Sequence, residues 1–255
     1  MAKSQKAYNN ILTFDTFEDY FSMLRGVRVL SSPNLLTIFL IASIFGGLAF
    51  LYSFFGFFSN ETTPRFDTFG SLTPQEIGGH FLFGYMVALP SRNPKIGLLA
   101  GLMALTLDAD HLFNAAGFDV QGRMSHSISF AILASVSIGI MAREIYRKIP
   151  LRDITTMRSV LRSSNKIENS RHNSLLPSGR KRIFSQFLII ALAAYMSHIA
   201  YDVFVDTHTN FPLLAPFSFS DFFIPQIYAI PIEGAAILLV YLVYSATNKR
   251  TYSNY

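Results

Sequence analysis

From Leu35 to Phe58 the chain runs 24 residues without a charged side chain. As an α-helix this run is about 36 Å long, enough to cross a hydrocarbon core of about 30 Å. Five more apolar stretches follow, at roughly 76–90, 96–113, 126–142, 184–205 and 226–247, and each predicts a spanning helix. The stretches at 76–90 and 126–142 are short and interrupted by polar residues. Pro90, Ser91, Asn93 and Pro94 predict a turn between the second and third spans. Upstream, Phe14, Phe17, Phe21 and Leu24 recur at helical spacing, with Arg25 and Arg28 just beyond. Residues 1–33 therefore predict an amphipathic helix. It either lies in the membrane interface with its aromatic face down or packs on the bundle as an ordinary short helix. The expected architecture is all-α: a polytopic transmembrane helical bundle of about six spans over 34–247, an N-terminal interfacial segment and a tail at 248–255.

Composition sharpens this reading only in part. Half of the residues are hydrophobic (51%), which soluble proteins also reach, so the distribution carries the argument. A cleaved signal peptide fits the first run poorly, because that run begins beyond residue 33 and is too long for an h-region. The absence of cysteine excludes disulfides and thiolate metal sites. The formal charge of +5 might suggest a nucleic-acid partner, but the basic residues are segregated. Eleven of them fall between 143 and 182, against Glu144, Asp153 and Glu168. Cytoplasmic loops of membrane proteins carry such an excess, and topology explains it better than specific binding to nucleic acid or anionic lipid. With that loop inside, alternation puts both termini in the cytoplasm of a plasma-membrane protein. Every basic cluster then shares one side, and only the isolated Arg65 and Arg123 fall outside.

On this topology the acids and histidines converge. His80, Asp108, Asp110, His111, His126, His198 and Asp202 come from four spans, all near the outer face. Glu233 lies about two turns into span six from the same side, while Asp206 and His208 follow span five. Only His172 stands apart, in the basic loop. Ionisable residues within a bilayer are costly and usually pair or mark function. His198 and Asp202 are spaced i, i+4, and Asp108 and His111 i, i+3, so each pair shares a helical face. Imidazole with carboxylate suits zinc first, with manganese or iron as alternatives. Aspartates beside histidines can instead fix their tautomers, and His–Asp hydrogen bonds can clamp helices without any metal. Compensation of several buried carboxylates favours metal.

The motifs at these positions are Gly79-His80, Asp108-Ala109-Asp110-His111, Gln121-Gly122-Arg123-Met124-Ser125-His126-Ser127, Ser197-His198-Ile199-Ala200-Tyr201-Asp202 and Leu213-Leu214-Ala215-Pro216. In this order they resemble the membrane-bound metal-dependent hydrolases of the LexA-regulated, inner-membrane YdjM-like family, over roughly 77–220. The resemblance implies a helical membrane protein and a metal-dependent hydrolase of unspecified substrate. The chain departs from the family pattern where Gln121 replaces a histidine and the Arg-Gly order is reversed to Gly122-Arg123. If that histidine is a ligand, the departure implies one coordination position fewer, and with it one ion fewer or impaired chemistry, unless His208 or Glu233 substitutes from the same side.

The expected function is thus hydrolysis of a phosphoester or lipid-type substrate near the non-cytoplasmic surface. The expected ligands are His80, Asp110, His111, His126, His198 and Asp202. Asp108 would orient a ligand or accept a proton. Arg123 would stabilise developing charge, or is a lone interfacial arginine. The aromatic loop with Phe211, Phe217, Phe219, Phe222 and Phe223 would seat among membrane lipids or anchor the fold. The absence of a nucleophile elbow argues against serine catalysis. A metal or proton transporter is the main alternative, although the groups crowd one end of the spans and no repeat is visible. A non-catalytic protein with a structural metal site is the third reading.

Overall fold

The computed structural model describes residues 33–58, 73–112, 123–148, 176–206 and 210–252, excluding the side chains of 110, 147–148, 176–180 and 247–252. The expected interfacial helix, most of the basic loop, Gln121, His172 and His208 lie outside these residues. The described helices belong to one compact unit, Asn34–Tyr255. They are α1 (Leu35–Ser53), α2 (Pro74–Val87), α3 (Pro94–Thr106), α4 (Ile128–Lys148), α5 (Leu176–Val205) and α6 (Ala229–Tyr252).

Local chemistry explains several helix starts. The Asn34 side chain accepts the Thr37 backbone N–H at 2.7 Å and begins α1. Thr73 and Asn93 do the same for α2 and α3, each followed by a proline in the first turn, where its missing N–H costs nothing. Ser127 accepts the Phe130 N–H at 3.2 Å at the head of α4.

Among the described residues, four helices are long and apolar enough to cross a membrane: Leu35–Phe58, Ile128–Tyr146, Lys181–Val205 and Gln226–Ala246. They match the first, fourth, fifth and sixth expected spans within a few residues at each end. The second and third expected spans are shorter. α2 has 14 residues and α3 has 13, or about 20 Å each as α-helix. α3 gives way to a 3₁₀ turn over Leu107–Asp110, in which Asp108 has non-helical backbone angles (φ −75°, ψ 21°).

Helix α5 occupies the middle and packs against α2, α3, α4 and α6. Its apolar window is 67% buried, against 22% for α6, so α5 is the pillar and α6 the outer wall. The outer surface is itself apolar: Leu36 and Phe39 on α1, Ile132 on α4, and Ile230 and Leu238 on α6 are all exposed. A helix face of this kind suits hydrocarbon rather than water. Between α2 and α3 the contact is backbone-close. A Cβ on Gly84 would meet the Ala100 carbonyl at 2.7 Å, and one on Gly101 would meet the Phe81 carbonyl at 2.8 Å. Small residues at such seams allow tight helix approach.

The connection from α5 to α6 carries a two-residue antiparallel ladder, β1 (Asn210–Phe211) with β2 (Phe222–Phe223). This connection is tied back to the bundle. The Ala215 carbonyl accepts the hydroxyls of Tyr52 (3.1 Å) and Ser129, and the Leu213 carbonyl accepts the Ile128 N–H at 3.0 Å.

Candidate metal centre

Four elements meet at one end of the bundle. The middle of α2 brings His80, and the 3₁₀ turn after α3 brings Asp108. The turn before α4 brings His126, and the last third of α5 brings His198 and Asp202. All three histidines are buried, as is Asp202.

The reactive atoms point at one another. His198 Nε2 lies 3.3 Å from Asp108 Oδ1 and 3.4 Å from Asp202 Oδ2. His80 Nε2 lies 3.4 Å from Asp108 Oδ2 and 3.3 Å from Asp202 Oδ1. His126 Nε2 is 3.4 Å from Asp202 Oδ2 and 2.9 Å from His198 Nε2. Two imidazole nitrogens this close, both facing carboxylates, are joined either by an N–H···N hydrogen bond or by a cation between them.

Neighbouring groups fix the rings. His198 Nδ1 is 2.8 Å from the Ala104 carbonyl, which can only accept, so Nδ1 carries the hydrogen and Nε2 is turned inward as the ligand atom. His126 is held by Ser125 Oγ at Nδ1 (3.2 Å) and by the Tyr195 hydroxyl, which donates to its carbonyl at 2.5 Å. Phe211 of the α5–α6 connection stacks on the His126 ring at 5.7 Å. His80 stacks on His198 at 3.9 Å and meets the edge of Tyr201.

Two sets of side chains bring their ligand atoms close enough for an ion: His80–His198–Asp202, and Asp108–His126–His198, each within 4.8 Å. A buried His/Asp group of this composition could hold a metal ion, and imidazole plus carboxylate fits zinc, manganese or iron by donor type. Asp108, expected to orient a ligand or take a proton, is a member of the second set. His111 is buried, with Nε2 3.7 Å from Asp108 Oδ1, but it belongs to neither set. The Asp110 side chain lies outside the described residues. Asp206 is exposed beyond α5, and Glu233 lies beside Ser197; both are outside the two sets.

Arg123 is not a lone interfacial arginine. Its Nη2 is 2.9 Å from Asp108 Oδ1 and its Nη1 is 3.0 Å from Asp202 Oδ2, so one guanidinium bridges both carboxylates. Sequence reasoning also passed over Glu76, whose Oε2 is 3.9 Å from His80 Nε2 and whose side chain is 30% exposed, making it the most water-accessible of the acids facing the cluster. Thr73-Pro74-Gln75-Glu76 has the pattern of a helix capping box, which hides a second use for the glutamate. Its i, i+4 spacing to His80 was the available signal. No family model, curated protein or solved structure matches the chain.

Proposed function

We propose that this protein is a membrane-bound metal-dependent hydrolase acting on a phosphoester or lipid-type substrate at one membrane surface. The observation that carries the proposal is the convergence of His80, His126, His198, Asp108 and Asp202 from four separate elements on one point. The reaction class rests on the resemblance of the ordered motifs to the YdjM-like hydrolases, and the cluster supplies donors of the required type. Zinc is the first choice of ion.

When bound, a divalent ion supplies a water activated near neutral pH and a polarised phosphoryl or carbonyl oxygen. The chain's own residues have separable tasks. His198 and Asp202, one turn apart on α5, present nitrogen and oxygen donors from the most buried helix. Ser125, Tyr195 and Phe211 keep His126 in its rotamer, and the Ala104 carbonyl sets the tautomer of His198. Arg123 holds the two aspartates in register. Glu76, at the wet edge, is placed to exchange protons with solvent.

A six-span topology with cytoplasmic termini belongs to the same proposal. α3 with its 3₁₀ extension reaches about 28 Å at rises of 1.5 and 2.0 Å per residue. α2 at about 21 Å is the short crossing. The cluster joins the middle of α2 and the turn before α4 to the ends of α3 and α5, which is compatible with alternating spans. The exposed Phe217, Phe222 and Phe223 of the neighbouring connection suit contact with lipid at headgroup depth.

Arg123 also supports a second reading. A guanidinium bridging two carboxylates can clamp helices without any ion, and the protein would then be non-catalytic. Metal analysis of protein purified without chelator separates these readings. Phosphoester and lipid turnover in detergent should accompany bound metal and disappear in His198→Ala. Metal-free wild type would remove the hydrolase reading, and metal flux in liposomes without turnover would favour transport.

A further inference from the structure

The metal-binding proposal leaves open how many ions the cluster takes, and the following inference rests on that proposal. The two candidate ligand sets share His198. Its Nδ1 is committed to the Ala104 carbonyl, so Nε2 is its one remaining donor atom. A single imidazole nitrogen offers one in-plane lone pair and serves one ion. Among the described residues, the two sets therefore cannot be filled at once and offer one cation site between them.

The place of a second ion is already filled. Dinuclear sites hold their ions with carboxylates, and the two carboxylates at the heart of this cluster, Asp108 and Asp202, are each engaged by Arg123. Charge leads to the same conclusion. Two aspartates against one guanidinium leave a net charge of minus one, and one divalent ion brings the cluster to plus one. Two ions would leave plus three, or plus two with Glu76 counted, in a setting where uncompensated charge is costly.

We infer that the site takes one divalent ion, and that Arg123 occupies the electrostatic position of a second. The guanidinium competes with the ion for Asp108 Oδ1 and Asp202 Oδ2, and so limits both stoichiometry and affinity. It is a positioning residue, acting through the two carboxylates.

The test uses the full chain in detergent, stripped with chelator, dialysed against Zn²⁺ alone and assayed for zinc per polypeptide. Wild type and Arg123→Lys should bind one equivalent, and His198→Ala none. Arg123→Met should bind about tenfold more tightly, as expected when a competing charge at contact distance is removed. Two equivalents in wild type would overturn the inference while leaving the metal reading intact, whereas none would overturn both. Retention of zinc by His198→Ala, or unchanged affinity in a folded Arg123→Met, would also overturn it. The wild-type stoichiometry decides even where the methionine variant fails to fold.

Discussion

α2 and α3 have 14 and 13 residues, and they bring Glu76, His80 and Asp108 to the cluster. α6 has 24 residues and a single acid, Glu233, and turns Ile230, Leu238 and Leu242 outward. The first pair gives up length and apolar character to build a polar centre, while the last helix keeps both and builds none. An acidic or basic residue in the middle of a spanning helix costs about 2.5–3.5 kcal/mol on insertion scales. The short helices carry such groups because α5 stands beside them with complementary ones. α6 has α5 on one side and mostly hydrocarbon-compatible surface on the other. Helices that carry chemistry are supported by neighbours, whereas helices that form the wall are supported by solvent.

The sharpest way to break this contrast is Asp202→Ala. It removes one of the two carboxylates that the part-buried Arg123 bridges and should cost about 3–5 kcal/mol, read as a fall in thermal unfolding temperature in detergent, with loss of bound metal. A stable variant would mean that the cluster does not hold α2 and α3 in place. Next comes Leu238→Arg on the outward face of α6. Its expected cost is about 2.5–3.5 kcal/mol of insertion, seen as a fall in the membrane-fraction yield. Undiminished yield would mean that this face meets water or protein.

Gly84→Ala probes the α2–α3 seam. The new Cβ would press on the Ala100 carbonyl and on Ala104, and about 1–3 kcal/mol of destabilisation is expected from overpacking. Since the seam lies beside the cluster, zinc affinity should fall in parallel. If it does not, the two short helices are positioned by something else. The smallest effect belongs to Leu242→Ala, exposed on α6, which should leave stability within about 0.5 kcal/mol and metal content unchanged.

The same contrast explains what was legible beforehand. α1, α5 and α6 could be read from hydropathy because a full crossing must be apolar along its length, whether it meets lipid or other helices. The stretches that hold α2 and α4 blur in such a reading, because they are short and polar residues interrupt them. The cluster was legible as a convergence, because Lys and Arg set the sidedness independently of His and Asp. Arg123 was legible as a candidate beside His126 but not as a bridge, because its partners, Asp108 and Asp202, are only identifiable in three dimensions. Asp108 joins one of the two candidate sets for a related reason. The break in α3 turns its carboxylate inward, and helical spacing alone does not foresee a 3₁₀ turn.

The order in which the cluster residues occur along the chain has a consequence for biogenesis. Asp108, Arg123 and His126 emerge from the ribosome well before His198 and Asp202. At about 5–20 residues per second, the interval between Asp108 and Asp202 is roughly 5–20 seconds. During it the growing chain holds a half-built polar centre with no pillar helix beside it. The Asp108–Arg123 pair, 15 residues apart, can close early and neutralise that half until α5 arrives. On this view the guanidinium acts first as an internal chaperone for nascent helices, and only afterwards as a part of the finished site.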